Sequence, residues 1–210
     1  MKQNYQLMME KRIREIADST PKLLIHSCCA PCSSYVLELL SEFFEITVLY
    51  YNPNIYPPEE FEKRSIEQVR LAGSMKLKNS VRVVCTDYDS DSFYKAVKGL
   101  ENEPEGGARC TECFRLRLEK TAEYARNNGF DMFTTTLTIS PLKNSQLLNI
   151  LGMEIAEKYS LEYFCSDFKK KNGYKRSCEL SAEYGLYRQD YCGCVFSMRE
   201  REKAKFAQGK

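Results

Sequence analysis

The sequence predicts an α/β protein built on a doubly wound, mainly parallel sheet. Three observations carry that expectation. Short runs of β-branched and aromatic residues recur along the chain, stretches with helical apolar spacing separate them, and turn residues mark the boundaries. Strands that alternate with helices pair in parallel through right-handed crossovers, which gathers functional loops at the strands' carboxyl ends.

The opening MKQNYQLMMEKRIREIAD predicts an amphipathic, charged helix. It has neither the continuous apolar core nor the cleavage site of a secretory signal. Lys22 to His26 (KLLIH) is a short buried strand; SCCAPCSS breaks it, and Val36, Leu37, Leu40, Phe43 and Phe44 then follow helical spacing. Glu45 to Tyr51 is a second strand, ended by Asn52-Pro53-Asn54. Pro57 and Pro58 before Glu59 and Glu60 predict a helix start, because proline suits the first turn and the acids face the positive end of the dipole. That helix should run to about Leu77. Val81 to Cys85 is a third strand, which delivers Asp87 and Asp89 into the loop beyond it.

A helix around Asp91 to Leu100 and the hydrophilic loop ENEPEGGAR follow. Phe114, Leu118, Ala122 and Ala125 then form one helical face, with Asn128-Gly129 as its C-cap. Asp131 to Thr136 is a fourth strand, and a helix from about Asn144 to Tyr159 precedes a fifth, Glu162 to Cys165. The tail from Phe168 reads as mostly irregular, with a last helix after Ser197. The length of 210 residues suits a single α/β domain over 1–210, in which 168–210 forms a basic C-terminal extension.

Apolar residues at 43% and charged residues at 29% are ordinary for a globular protein, and no stretch approaches the roughly 20 apolar residues of a membrane span. A cytoplasmic protein with no membrane partner is expected. From Lys169 onward eleven Lys and Arg stand against five Asp and Glu, a local +6 in a chain whose total is +2. Such a segment fits a polyanionic partner such as nucleic acid; a solvated lysine-rich loop is the competing reading.

Ten cysteines in a reducing compartment point to metal or redox chemistry rather than to a disulfide framework. Seven fall in three groups: Cys28, Cys29 and Cys32 in CCAPC, Cys110 and Cys113 in CTEC, and Cys192 and Cys194 in CGC. Cys85, Cys165 and Cys178 stand alone and read as small buried hydrophobes. Two thiol pairs from distant segments can complete four soft ligands, for zinc or for an iron–sulfur cluster. A structural zinc site closes with four ligands and leaves the further clustered thiols unexplained, so the surplus favours redox work. The first two groups also border helix starts, where the dipole and free N–H groups stabilise thiolate.

A disulfide between Cys192 and Cys194 would close a very small, easily reduced ring, so this pair reads as a redox-active dithiol. Metal ligation and a merely flexible tail are the alternatives. Asp87 suits a hard metal ligand or a proton donor, against the plainer reading of a turn acid. His26, the only histidine, reads as structural, which rules out sites built on several imidazoles and makes a Ser-His-Asp hydrolase a poor fit.

HSCCAPCSS, YYNPNIYPPEEFEKR, VCTDYD, ARCTECFRLRLEKTAEYA, FTTTLTISPLKNS and YGLYRQDYCGCVFS together resemble the QueH family of epoxyqueuosine reductases, from about Leu23 to Ser197. The resemblance implies reduction of the epoxide on the modified wobble base of tRNA, the last step of queuosine biosynthesis, without cobalamin. It implies a 4Fe-4S cluster on Cys28, Cys29, Cys110 and Cys113, a redox-active pair at Cys192 and Cys194, and an additional iron ion that Cys32 and Asp87 help to hold. The family is also similar in architecture to the nucleotide α-hydrolase-like (HUP/PP-loop) proteins, whose phosphate loop is rich in glycine. Here that loop is SCCAPCSS, with no glycine and three thiols, so ATP is expected neither to bind there nor to be consumed.

Epoxide opening to an alkene takes two electrons and two protons and expels one oxygen as water. The implied roles are an iron that polarises the epoxide oxygen, electrons from the cluster or the Cys192/Cys194 dithiol, and a proton from Asp87 or Tyr191. Lys169, Lys170, Lys171, Lys175 and Arg176 are expected to meet tRNA phosphates, and Tyr174, Tyr187 and Tyr191 to stack on unpaired bases. The electron donor is unknown. Rival readings are an iron–sulfur tRNA thiolation enzyme and a zinc-stabilised RNA-binding module.

Overall fold

The computed structural model describes residues 3–16 and 19–208. Strands β1 (Lys22–His26), β2 (Glu45–Tyr50), β3 (Val81–Cys85), β4 (Met132–Thr135) and β5 (Glu162–Tyr163) form one sheet in the order β3-β2-β1-β4-β5. Every neighbouring pair is parallel. The chain winds outward from β1 to β3, returns, and continues on the other side from β4 to β5, which is the doubly wound α/β arrangement that the alternation of elements predicts. The helices are α1 (Tyr5–Glu15), α2 (Ala30–Leu40), α3 (Pro58–Ser74), α4 (Ser90–Ala96), α5 (Ala108–Asn127), α6 (Ser145–Tyr159), α7 (Gly173–Glu183) and α8 (Val195–Gln208).

Helices cover both faces of the sheet, and the period-two alternation of β1 serves both. Leu24 packs with Phe114 and Leu118 of α5 and Leu148 and Leu151 of α6. Leu23 and Ile25 point the other way, into Val36, Leu37 and Leu40 of α2, Phe44 and Met9 of α1. A central parallel strand buried on both sides therefore reads as an uninterrupted apolar run, as KLLIH does. Each such fully buried Leu or Ile stabilises the fold by about 2 kcal/mol.

The structure departs from the sequence-based expectations in the second half of the chain. Helix α5 begins at Ala108, inside the expected loop ENEPEGGAR, so Cys110 and Cys113 lie within its first turns rather than at the border of its start. The tail is not mostly irregular: α7 occupies 173–183 and α8 starts at Val195. Helix α7 buries Gly173, Ser177, Leu180 and Ser181 and lies against α2, so small residues rather than a periodic apolar face make its contact. Cys85 is exposed rather than buried, because it ends an edge strand, while Cys165 and Cys178 are half-buried. Strand β5 stops at Tyr163. Positions 1, 2, 17 and 18 of the expected first helix lie outside the described residues. Among the described residues no helix is long and apolar enough to cross a membrane.

Candidate metal centre

The winding direction reverses between β1 and β4, so the loops leaving their carboxyl ends face a shared crevice. The loop after β1 carries Cys28 and Cys29, and the first turn of α2 carries Cys32. Their sulfur atoms all lie within 4.8 Å of one another, and Cys28 Sγ and Cys29 Sγ are 3.7 Å apart. All ten cysteines are free thiols.

Polar contacts fix this loop from below. Ser27 Oγ and Ser33 Oγ both donate to Gln68 Oε1 of α3, at 2.8 and 2.9 Å, and Asn52 Nδ2 donates to the Ser27 carbonyl at 2.8 Å. His26 is structural, as the sequence suggests. Its Nε2 faces the Tyr51 carbonyl at 3.2 Å, which can only accept, so that nitrogen carries the proton and Nδ1 accepts from Thr135 Oγ1 at 2.9 Å. Burial, with the nearby Arg117 charge, pushes His26 down to about 3, so the ring is neutral and ties β1 to its two neighbours.

The second and third thiol groups meet on the far side of the crevice. Cys110, Cys113, Arg109, Phe114 and Arg117 of α5 line a small cavity with Asn54, Phe93, Cys192 and Cys194. The segment bearing Cys192 and Cys194 is strapped down: the Gly193 carbonyl accepts from the Tyr56 N–H at 2.8 Å, Tyr191 Oη donates to the Tyr56 carbonyl at 2.6 Å, and the Tyr187 N–H donates to Glu67 Oε1 at 2.9 Å. Gly193 holds φ +126, and a Cβ there would meet Arg64 Nη1 at 3.1 Å, so the bend between the two cysteines needs glycine. The pair is thus held against the 52–57 loop and α3. Cys192 also lines a larger cavity of about 210 Å³ with Cys28, Cys29, Cys32, Lys143, Tyr174, Arg188 and Tyr191.

Three arginines are among the largest fully buried side chains: Arg64, Arg109 and Arg117. Arg64 pairs with Glu60 at 2.7 Å, and Arg109 with Glu200 at 3.2 Å. Arg117 has no carboxylate partner among the described residues; its Nε donates to the Cys113 carbonyl at 3.1 Å, and its Nη2 has no hydrogen-bond partner. The thiols respond to this setting. Contacts with Cys29 and Cys32 hold Cys28 well below the ordinary thiol value, while the same contact with Cys28 pushes Cys29 up to about 12 and Cys32 is also raised. The first thiolate of the trio is stabilised by its neighbours, and its charge opposes the next two. Burial pushes Cys113 up to about 12 and raises Cys110, whose Sγ accepts the Gly106 N–H at 3.2 Å.

The remaining sequence-derived candidates are divided by the fold. Asp87 is exposed beyond β3 and lines neither cavity. Tyr174 and Tyr191 line the larger cavity; Tyr187 instead carries Lys63 3.3 Å from its ring centroid and donates to Glu60 Oε2. Lys169, Lys171, Lys175 and Arg176 are paired with Asp167, Glu10, Glu179 and Glu38, and neither they nor Lys170 lines the cavity. Sequence reasoning missed Lys143, Arg117 and Arg64. The signal for Lys143 was its place in TISPLKNS, just past the fourth strand and opposite the cysteine loop at the switch point.

A family model described as "Epoxyqueuosine reductase QueH" matches residues 23–200. The chain belongs to this family. A QueH epoxyqueuosine reductase from Streptococcus pyogenes is 45% identical over 200 residues, covering 93% of this chain and 78% of that one. One from Staphylococcus epidermidis is 44% identical over 92% of this chain and 84% of its own length, and one from Acinetobacter baylyi is 40% identical over 97% and 93%. Among solved structures, a chain described as a tRNA methyltransferase subunit from Methanocaldococcus jannaschii aligns with a TM-score of 0.42 at 13% identity, covering 77% of this chain and 76% of that one.

As an epoxyqueuosine reductase of the QueH family the chain is an oxidoreductase. Its residues fit a metal centre. Cys28, Cys29 and Cys32 converge closely enough to hold an ion, soft thiolates suit zinc or iron–sulfur, and Arg117, whose Nη2 has no hydrogen-bond partner, lines the neighbouring cavity with Cys110, Cys113 and Cys192.

Proposed function

We propose that this chain reduces the epoxide of epoxyqueuosine at the wobble position of tRNA to the alkene, the last step in forming queuosine, at an iron–sulfur centre held by Cys28, Cys29, Cys110 and Cys113. The observation that carries the proposal is the position of Cys192, which lines the cavity against Cys28, Cys29 and Cys32 and also the one against Cys110 and Cys113. A 4Fe-4S cluster there, with an additional iron ion on the Cys32 side, would supply one-electron transfer and a Lewis acid for the epoxide oxygen.

The chain's own residues do the rest. A cavity of about 210 Å³ admits a single extruded base and not a duplex, which suits a substrate presented in an anticodon loop. Tyr174 offers an exposed ring at the cavity wall for a base to stack on. The Cys192/Cys194 dithiol is the two-electron donor. One C–O bond of the epoxide and then the other break, the oxygen leaves as water with the two thiol protons, and the thiols end as a disulfide. Of the two groups considered for proton delivery, Tyr191 lines the cavity and Asp87 does not, so Tyr191 relays one proton. In a reducing cytoplasm an external electron donor restores the dithiol.

The test is to mix anaerobically reconstituted protein, a reductant and epoxyqueuosine-containing tRNA, and to look by mass spectrometry for the base lighter by one oxygen. Its appearance supports the reading. Protein that carries zinc alone and leaves the base unchanged contradicts it and leaves an RNA-binding module.

A further inference from the structure

We infer that Lys143 and Arg117 are positioning residues: they bracket the thiols from two different elements and set the potential at which the metal centre takes up an electron. The inference rests on the proposed function and deepens it.

Two observations carry it. Arg117 is buried within α5, touches the second cavity, and among the described residues has no carboxylate to balance its charge, unlike Arg64 and Arg109. Lys143 is half-buried in the loop between β4 and α6, lines the first cavity with Cys28, Cys29, Cys32 and Cys192, and likewise makes no ion pair among the described residues. An unpaired buried cation is strongly disfavoured, so Arg117 is placed for an anionic group that no carboxylate supplies among the described residues. Lys143 faces the cysteines across a cavity whose wall also holds Glu105 and Asp190, but it pairs with neither, and Asp190 is taken by Arg201 and Lys205. The thiols are the one acidic set they share.

Adding an electron to a thiolate-ligated centre adds negative charge, and nearby cations in a water-poor crevice favour that state. Neither residue has to touch the substrate for this.

The test compares wild type with Lys143→Met, Lys143→Arg and Arg117→Met as anaerobically loaded protein. Iron and acid-labile sulfide are counted, and the midpoint potential is read by spectroelectrochemistry. The expected result is full iron in every protein, with the centre at least tenfold harder to reduce in each Met variant, about 59 mV more negative for one electron. Lys143→Arg stays close to wild type. Loss of iron from Lys143→Met that Lys143→Arg restores also supports the inference. A loaded Met variant with unchanged potential overturns it for that residue. So does a Lys143→Arg protein that behaves like Lys143→Met, because packing and not charge would then be responsible. A wild-type protein with neither iron nor sulfide would instead remove the proposed cofactor, an outcome visible before any variant is compared.

Discussion

Cys28 Sγ and Cys29 Sγ lie 3.7 Å apart although the two residues are consecutive. Neighbouring residues on an extended strand point to opposite faces, so this approach is a property of the break between β1 and α2, where the chain leaves the sheet at its switch point. The distance is far beyond a disulfide bond, and Cys32 from the next turn joins the same group. Two consecutive thiols aimed into one crevice serve metal ligation better than they serve packing.

Replacing Cys28 or Cys29 by serine should therefore reduce bound iron at least tenfold and abolish epoxide reduction, while the fold survives because serine nearly keeps the volume that each cysteine fills at the edge of the core. Iron content and circular dichroism on the same sample check this. Full iron in either variant would remove that residue from the ligand set.

Cys192→Ser and Cys194→Ser should each stop turnover with the visible absorbance intact. The strap from Tyr187 to Gly193 holds the pair against α3 and the 52–57 loop independently of any metal. Loss of absorbance in either variant would make that cysteine a ligand and not a donor of electrons.

Glu67 gives the strap a pH dependence. Its hydrogen bonds from Arg70, then from the Tyr187 N–H, hold its carboxyl below the ordinary value of 4.5. A carboxylate with a depressed folded value adds stability that is fully present above the unfolded value and lost as pH falls through the folded one. Glu67→Gln should thus lower the thermal midpoint most at neutral pH, and the gap from wild type should close below pH 4.5. A gap that stays constant on acidification would contradict this.

Gly173→Ala should destabilise the protein by about 1–3 kcal/mol. The new Cβ would run into the Phe168 carbonyl oxygen and stand 2.5 Å from Tyr35 Cε1. Because α7 carries Tyr174 and Ser177 at the cavity wall, tRNA affinity should fall with it. Unfolding in denaturant and a binding titration measure the two effects; a variant as stable as wild type would mean that α7 shifts freely on α2.

The sheet was legible because its strands are short apolar runs bounded by turn residues, and β1 to β4 lie within a residue or two of where KLLIH, EITVLYY, VRVVC and the run at 131–136 place them. Helix α7 was not, since Ser177 and Ser181 bury through close approach and carry no hydrophobic period. Spacing within CCAPC, CTEC and CGC identified the thiols, but spacing is silent on charge. That Arg117 would be buried without an acid, and that Lys143 would point into the same crevice, follow only from the meeting of α5 and the β4–α6 loop around the switch point. Net charge in the basic tail is likewise silent on partners: Lys169, Lys171, Lys175 and Arg176 are each paired in the fold.

The central claim is that two segments far apart in sequence build one metal centre. It is tested most directly by counting iron and acid-labile sulfide in anaerobically prepared wild type, in Cys28→Ser/Cys29→Ser and in Cys110→Ser/Cys113→Ser. The account predicts a loaded wild type and an empty centre in both double variants. Iron and sulfide at wild-type levels in the Cys110→Ser/Cys113→Ser protein would contradict it, leaving the metal to the loop after β1 alone.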